Sequence, residues 1–194
     1  PAADTSVGNH ISGLRIRGQP DGPIAVGIRP GGHHLVVDDV TIEGHVDVGV
    51  DVVNDGDVLV RGSRFTELQG VALRTSAGAK PTLRRNVFVR AHGPASGPAI
   101  EIGDGTTPVL TDNVFAGYLE REIVQTAGRT PAPSMPERAR ELLRRNYLVM
   151  RQADGRYARG QDRLGGHRAT GVRHHAPGVM PVTGNPADSV YCYK

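Results

Sequence analysis

Cysteine, tryptophan and lysine are nearly missing from this chain. Of its 194 residues one is cysteine, none is tryptophan, and lysine stands only at Lys80 and Lys194. A single thiol, Cys192, excludes an internal disulfide and any cage of cysteine ligands around a metal. Its place close to the C-terminus marks it as an incidental thiol, not a nucleophile. Aromatic residues make up 4% of the chain, too few for a row of base-stacking platforms. Acidic residues are also interleaved through 38–57, so nucleic acid is not an expected partner. No apolar run approaches the roughly 18 residues of a membrane span. The chain opens Pro-Ala-Ala-Asp, without Met or an apolar leader, and reads as an excised domain or processed product, from which an upstream targeting signal could have been lost.

What is abundant is Gly, Pro and Val, a composition that is β-rich and dense in turns. The 23 basic residues against 20 acidic ones are nearly all Arg. Coding bias accounts for that choice, although an Arg-rich surface also grips polyanions.

Self-comparison is more informative, because a period of 20–50 residues implies a repeat architecture. Val37-Asp-Asp-Val-Thr-Ile42, Val60-Arg-Gly-Ser-Arg-Phe65, Leu83-Arg-Arg-Asn-Val-Phe88 and Leu110-Thr-Asp-Asn-Val-Phe115 align at intervals of 23, 23 and 27. Leu143-Arg-Arg-Asn-Tyr-Leu148 follows 33 residues later, and Leu14-Arg-Ile16 reads as a degenerate earlier copy. A second series lies between these segments: Val26-Gly-Ile28, Val48–Val52, Gly70–Leu73, Ala99–Ile102 and Glu122-Ile-Val124. Its members alternate with period two, as strands with one buried face do. Short strands with this repeat cannot bury their apolar faces alone. Stacking coil on coil solves the problem, and the result is an all-β parallel β-helix, or solenoid, of about five coils.

Two positions support the register. Two residues before each Ile or Phe stand Val40, Ser63, Asn86, Asn113 and, in the last copy, Asn146. Stacked Asn side chains bond amide to amide, and Asn tolerates the left-handed backbone of a sharp corner. Phe65, Phe88 and Phe115 occupy one repeated position and read as an interior aromatic stack.

The Asn-x-Phe turns, Arg85-Asn-Val-Phe88 and Asp112-Asn-Val-Phe115, resemble those of right-handed parallel β-helix repeat proteins, the pectate-lyase-like superfamily. The likeness covers residues 12–125 well and 136–150 loosely. It implies a right-handed solenoid and a family of polysaccharide lyases, polygalacturonases, epimerases and non-catalytic extracytoplasmic domains. Fold alone does not choose among these.

In polysaccharide-cleaving members of that superfamily, substrate lies along the outer face of one sheet. The outward residues of the second series read as Arg29, Asp51, Ala72 and Glu101, at intervals of 22, 21 and 29. Arg29 and Asp51 fall on adjacent coils and make an ion pair. Asp51 and Glu101 lie two coils apart, or about 10 Å, at or beyond the wide end of an inverting carboxylate pair. The ordered motifs of a polygalacturonase are incomplete and out of order. Asp51, Asn54, Asp55 and Asp57 are the best oxygen ligands for calcium, but tight-turn chemistry explains that run without metal. His33-His34 and His174-His175 are adjacent pairs whose side chains diverge on a strand. The expectation is therefore a non-catalytic recognition or sensing module with no cofactor and no metal. Arg29, Asp51 and Glu101 are its candidate ligand-binding residues, and a glycan or a protein its partner. The resemblance places it outside the cytoplasm. A carbohydrate-active lyase or hydrolase is the rival reading, and a structural or assembly module docking through an Arg-rich helix is the third.

Residues 1–125 thus form the coils. Residues 126–152 hold a Pro-rich insertion, a short capping helix at about 135–145, and a last coil with a strand at 147–150. Residues 153–194 form a Gly/Arg/His-rich loop, with Val179–Tyr193 returning as one edge strand.

Overall fold

Each repeat folds into a rung of three short strands, as its period-two apolar pattern requires. The structure, a computed structural model, describes residues 8–30, 34–53, 56–76, 78–90, 97–103, 106, 108–126, 142–151, 157–161, 179–181 and 191–193. The first rung is β1 (His10–Ser12), β2 (Arg15–Gly18) and β3 (Ile24–Ile28). The second is β4 (Leu35–Asp38), β5 (Thr41–Gly44) and β6 (Val46–Val52). The third comprises β7 (Val58–Arg61), β8 (Arg64–Leu68) and β9 (Val71–Thr75). The fourth holds β10 (Thr82–Arg84), β11 (Val87–Arg90) and β12 (Ile100–Ile102). In the fifth, β13 (Val109–Thr111) and β14 (Val114–Ala116) precede a one-turn helix α1 (Glu120–Ile123) and β15 (Val124–Thr126). Beyond it come β16 (Tyr147–Arg151), β17 (Tyr157–Gln161), β18 (Val179–Pro181) and β19 (Tyr191–Tyr193).

Equivalent strands stack into three sheets, ordered β1-β4-β7-β10-β13, β17-β16-β14-β11-β8-β5-β2 and β15-β12-β9-β6-β3. Every pairing between rungs is parallel, so the fold is a parallel β-solenoid. Four full turns carry the chain from β1 to β13, close to the five coils expected. Its interior is columnar. Ile16, Ile42, Phe65, Phe88, Phe115 and Leu148 lie in register down the second sheet. The three Phe rings stack at 5.0 and 4.8 Å between centroids, each pair 8° from parallel.

The corner between the first two sheets works differently from the sequence expectation. Asn86, Asn113 and Asn146 do form a ladder there, continued by Ser63. The left-handed backbone, however, falls one residue earlier, at Gly13, Asp39, Gly62, Arg85 and Asp112, with φ between 51° and 64°. Only Gly takes that conformation without a Cβ clash. The Asn residues serve instead to satisfy buried backbone groups that the tight corner turns inward.

The C-terminal region departs further. Glu122 and Ile123 belong to α1, not to a strand, because the Glu122 carboxylate accepts the Leu119 N–H at 2.9 Å and closes a helical turn. The strand after Asn146 is present as β16, while most of the expected helix at 135–145 lies outside the described residues. The expected loop at 153–180 contains β17, which pairs antiparallel with β16 and covers that sheet's edge. Val179–Tyr193 is not one edge strand: β18 and β19 pair with each other, antiparallel. Among the described residues no helix is long and apolar enough to cross a membrane.

Candidate functional site

The third sheet carries one row of polar residues on its outer face, charged in the first four rungs and neutral in the fifth. Arg29 follows β3, Asp51 lies in β6, Glu101 in β12 and Gln125 in β15. Between Asp51 and Glu101 stands Arg74 of β9, in register with both. Ala72 was expected there. It belongs to the core instead, 2% exposed, beside Gly49. A Cβ on Gly49 would lie 2.6 Å from the Ala72 carbonyl oxygen, 3.2 Å from Phe65 and 3.3 Å from Leu68, so the packing beside Ala72 admits only Gly at position 49. The error was one of interval. Asp51 pairs 23 residues ahead, the same step that separates Val37 from Val60, and that shared step was the available signal.

Asp51 is the centre of the row. Its side chain is 4% exposed, whereas those of Arg29 and Arg74 are 56% and 39% exposed. Arg29 donates to Oδ2 from Nε at 3.0 Å and Nη2 at 2.7 Å. Arg74 donates from Nε to Oδ1 and from Nη2 to Oδ2, both at 3.0 Å. Burial alone would raise the Asp51 carboxyl, but the hydrogen bonds from Arg74 and Arg29 outweigh it and hold the group below the usual aspartate range. Both guanidiniums are thereby fixed, with the Nη1 group of each outside the pairing. Glu101 lies one rung beyond Arg74, its carboxylate within electrostatic reach of that guanidinium. The three sequence-derived residues therefore share one row, although Asp51 and Glu101 do not meet.

Other polar groups are paired locally. Asp38 binds Arg61 at 2.7 Å, and Glu43 binds Arg15 at 2.8 Å and Arg17 at 3.4 Å. Arg90 pairs with Glu122 and lies over the Tyr118 ring. His34 contacts Asp57 at 3.2 Å. With Asp57 facing His34 and Asp51 held by two Arg residues, the two acids do not share a cation. Asn54, Asp55, His33 and His174-His175 lie outside the described residues. Among the described residues, no three His, Cys, Asp or Glu side chains are grouped to hold a metal ion.

Fold and row together define the class: a parallel β-solenoid repeat protein with a charged outer row on its third sheet. No protein-family model, curated protein or solved structure matches the chain.

Proposed function

We propose that this chain is a non-catalytic recognition module that binds an extended ligand, such as a cell-wall or other glycan, along the outer face of its third sheet. One observation carries the reading: Arg29, Asp51, Arg74, Glu101 and Gln125 line up rung by rung, with Asp51 holding both guanidiniums in place. With Asp51 buried between them, Arg29 and Arg74 present donors, and Glu101 an acceptor, on rungs about 4.8 Å apart. A polyhydroxylated polymer offers both kinds of partner along its length. Positioned Arg donors lose little freedom on binding, which favours recognition.

The same geometry argues against an inverting hydrolase built on Asp51 and Glu101. A general acid needs a raised pKa, and Asp51 is shifted the other way. Arg74 also stands in register between Asp51 and Glu101, on the rung where an inverting enzyme would hold its nucleophilic water. The wider setting, outside the cytoplasm and in a role such as the sensor part of a bacterial signalling protein, rests on the superfamily resemblance alone. Fractionation of cells expressing the native full-length protein tests it.

The binding test is a glycan array followed by calorimetry on each hit. Saturable binding that weakens at least tenfold in Arg29→Ala and Glu101→Ala supports the proposal. An array without signal, or hits indifferent to both substitutions, would sink it.

A further inference from the structure

The first sheet presents a different outer face. Val36, Leu59, Thr82 and Val109 lie in register across four rungs, with the inward residues Val37, Val60, Leu83 and Leu110 behind them. Beside this row runs a second: Asp38, Arg61, Arg84 and Thr111. Val109 is 55% exposed, more than the other exposed large hydrophobics of the described surface, Leu14 and Leu119. It borders a cleft of about 310 Å³ shared with Thr111, Leu142, Arg144 and Arg145. An apolar floor thus meets a cationic rim. Arg61 is engaged by Asp38, but among the described residues neither Arg84 nor Arg145 has a carboxylate partner.

We infer that this face is a second binding site, docking an extended acidic, aliphatic segment of a partner protein across the first sheet. Charge complementarity selects the acidic component, since Arg84 and Arg145 stand exposed at the edge of the apolar row. The aliphatic component follows from Val36, Leu59 and Val109. A side chain of Leu or Ile size fits the cleft between Val109 and Leu142, where its burial removes apolar surface from water. The row spans three rung steps, about 14 Å, which is the reach of about four extended residues. A sugar polymer is less suited here, because the described face offers no aromatic ring to stack on. Nucleic acid is disfavoured for the same reason.

The site is independent of the charged row on the third sheet, so its test uses different substitutions. A random peptide display library is panned against the whole chain, and enriched peptides are measured by fluorescence anisotropy. Enrichment should favour peptides combining Leu, Ile or Val with Asp or Glu. Their affinity should fall at least tenfold in Arg145→Glu and in Val109→Asp, and stay unchanged in Arg29→Ala. Circular dichroism and melting confirm that the variants fold, with Arg145→Gln and Val109→Ser as milder substitutes should either fail. Three results would overturn the inference. The library yields no enriched peptide, the enriched peptides ignore the substitutions, or a sulfated polysaccharide binds in a manner that tracks Arg145→Glu but not Val109→Asp. The last outcome would mark the face as a simple polyanion patch.

Discussion

The side-chain oxygen of Asn113 accepts two hydrogen bonds from Asn86, one from its backbone N–H and one from its Nδ2, each at 3.0 Å. The Asn113 amide in turn donates to the Leu83 carbonyl at 2.9 Å and to Oδ1 of Asn146 at 2.8 Å. Donor and acceptor capacity are both used, at a side chain that is fully buried. A ladder of this kind stitches one rung to the next where strand pairing is interrupted by the corner. It should therefore contribute to stability out of proportion to its size.

Substitution at Asn113 separates the two halves of that role. Asn113→Ala leaves the Asn86 N–H and the Leu83 carbonyl without partners, which costs about 2–4 kcal/mol. Asn113→Ser should be milder, because Ser63 already fills the equivalent position, accepting from Val40 N–H at 3.1 Å and donating to the Arg61 carbonyl at 2.9 Å. Asn113→Asp should be worst. It keeps the acceptor but turns a buried carboxylate towards two other oxygens. Urea unfolding at neutral pH gives the ranking, and an Asp variant more stable than the Ala variant would refute it.

Phe88 is held between the Phe65 and Phe115 rings. Phe88→Ala should lose about 3–5 kcal/mol, through the cavity as much as the lost burial. Ile42 and Leu148 occupy the same column, so the interior already accommodates branched aliphatic residues there. Phe88→Leu should accordingly lose only about 1–2 kcal/mol. Equal losses for the two variants, measured by denaturant melts, would show that the ring stack itself is the essential feature.

The repeat was legible in the sequence where identical chemistry recurs at one structural position. Leu-Arg-Arg-Asn at 83–86 and 143–146 marks two corners of the same ladder, and the Phe residues mark one column. The third sheet was harder to read. Val48-Gly-Val50 aligns with Val71-Ala-Leu73 at a step of 23, while Gly49-Val50 aligns with Gly70-Val71 at a step of 21, and a slip of two preserves the alternation of faces. That ambiguity placed Ala72 where Arg74 stands, and so hid the second guanidinium on Asp51. Helix α1 was illegible for another reason. A single turn has no 3.6-residue periodicity to display, and Glu122-Ile-Val124 alternates like a strand.

Arg85 holds a left-handed backbone, φ 56°, at a corner where Gly13 and Gly62 serve in other rungs. A bulky residue in that conformation loses about 1–2 kcal/mol, partly offset by the greater freedom of Gly in the unfolded chain, about 0.5–1 kcal/mol. Arg85→Gly should therefore stabilise the protein by about 0.5–1 kcal/mol, and Gly62→Ala should destabilise it by a similar amount. Thermal melts of the two variants test the pair. A lower melting temperature for Arg85→Gly would mean that the Arg85 side chain makes a stabilising contribution larger than its backbone strain.

Asp51 sets the acid limit of the third sheet. Its carboxyl is held below the ordinary aspartate value, so the unfolded chain takes up its proton at higher pH than the folded one. The stabilisation from the two Arg bonds is therefore fully present above the unfolded value, about 3.9, and disappears as pH falls through the depressed native value. Asp38 follows the same sign, because its hydrogen bond to Arg61 also lowers its carboxyl. Asp51→Asn removes the charge while preserving the shape. At pH 7 the variant should lose about 1–2 kcal/mol, less than the roughly 3–5 kcal/mol of a fully buried pair, because both guanidiniums remain hydrated. The gap between wild type and variant should stay constant from pH 7 to about pH 5 and then close as the solution is acidified below about pH 4. Parallel urea titrations across that range measure it. A gap that persists undiminished at the lowest pH would mean that Asp51 acts through packing, and that ion pairing is not what fixes Arg29 and Arg74.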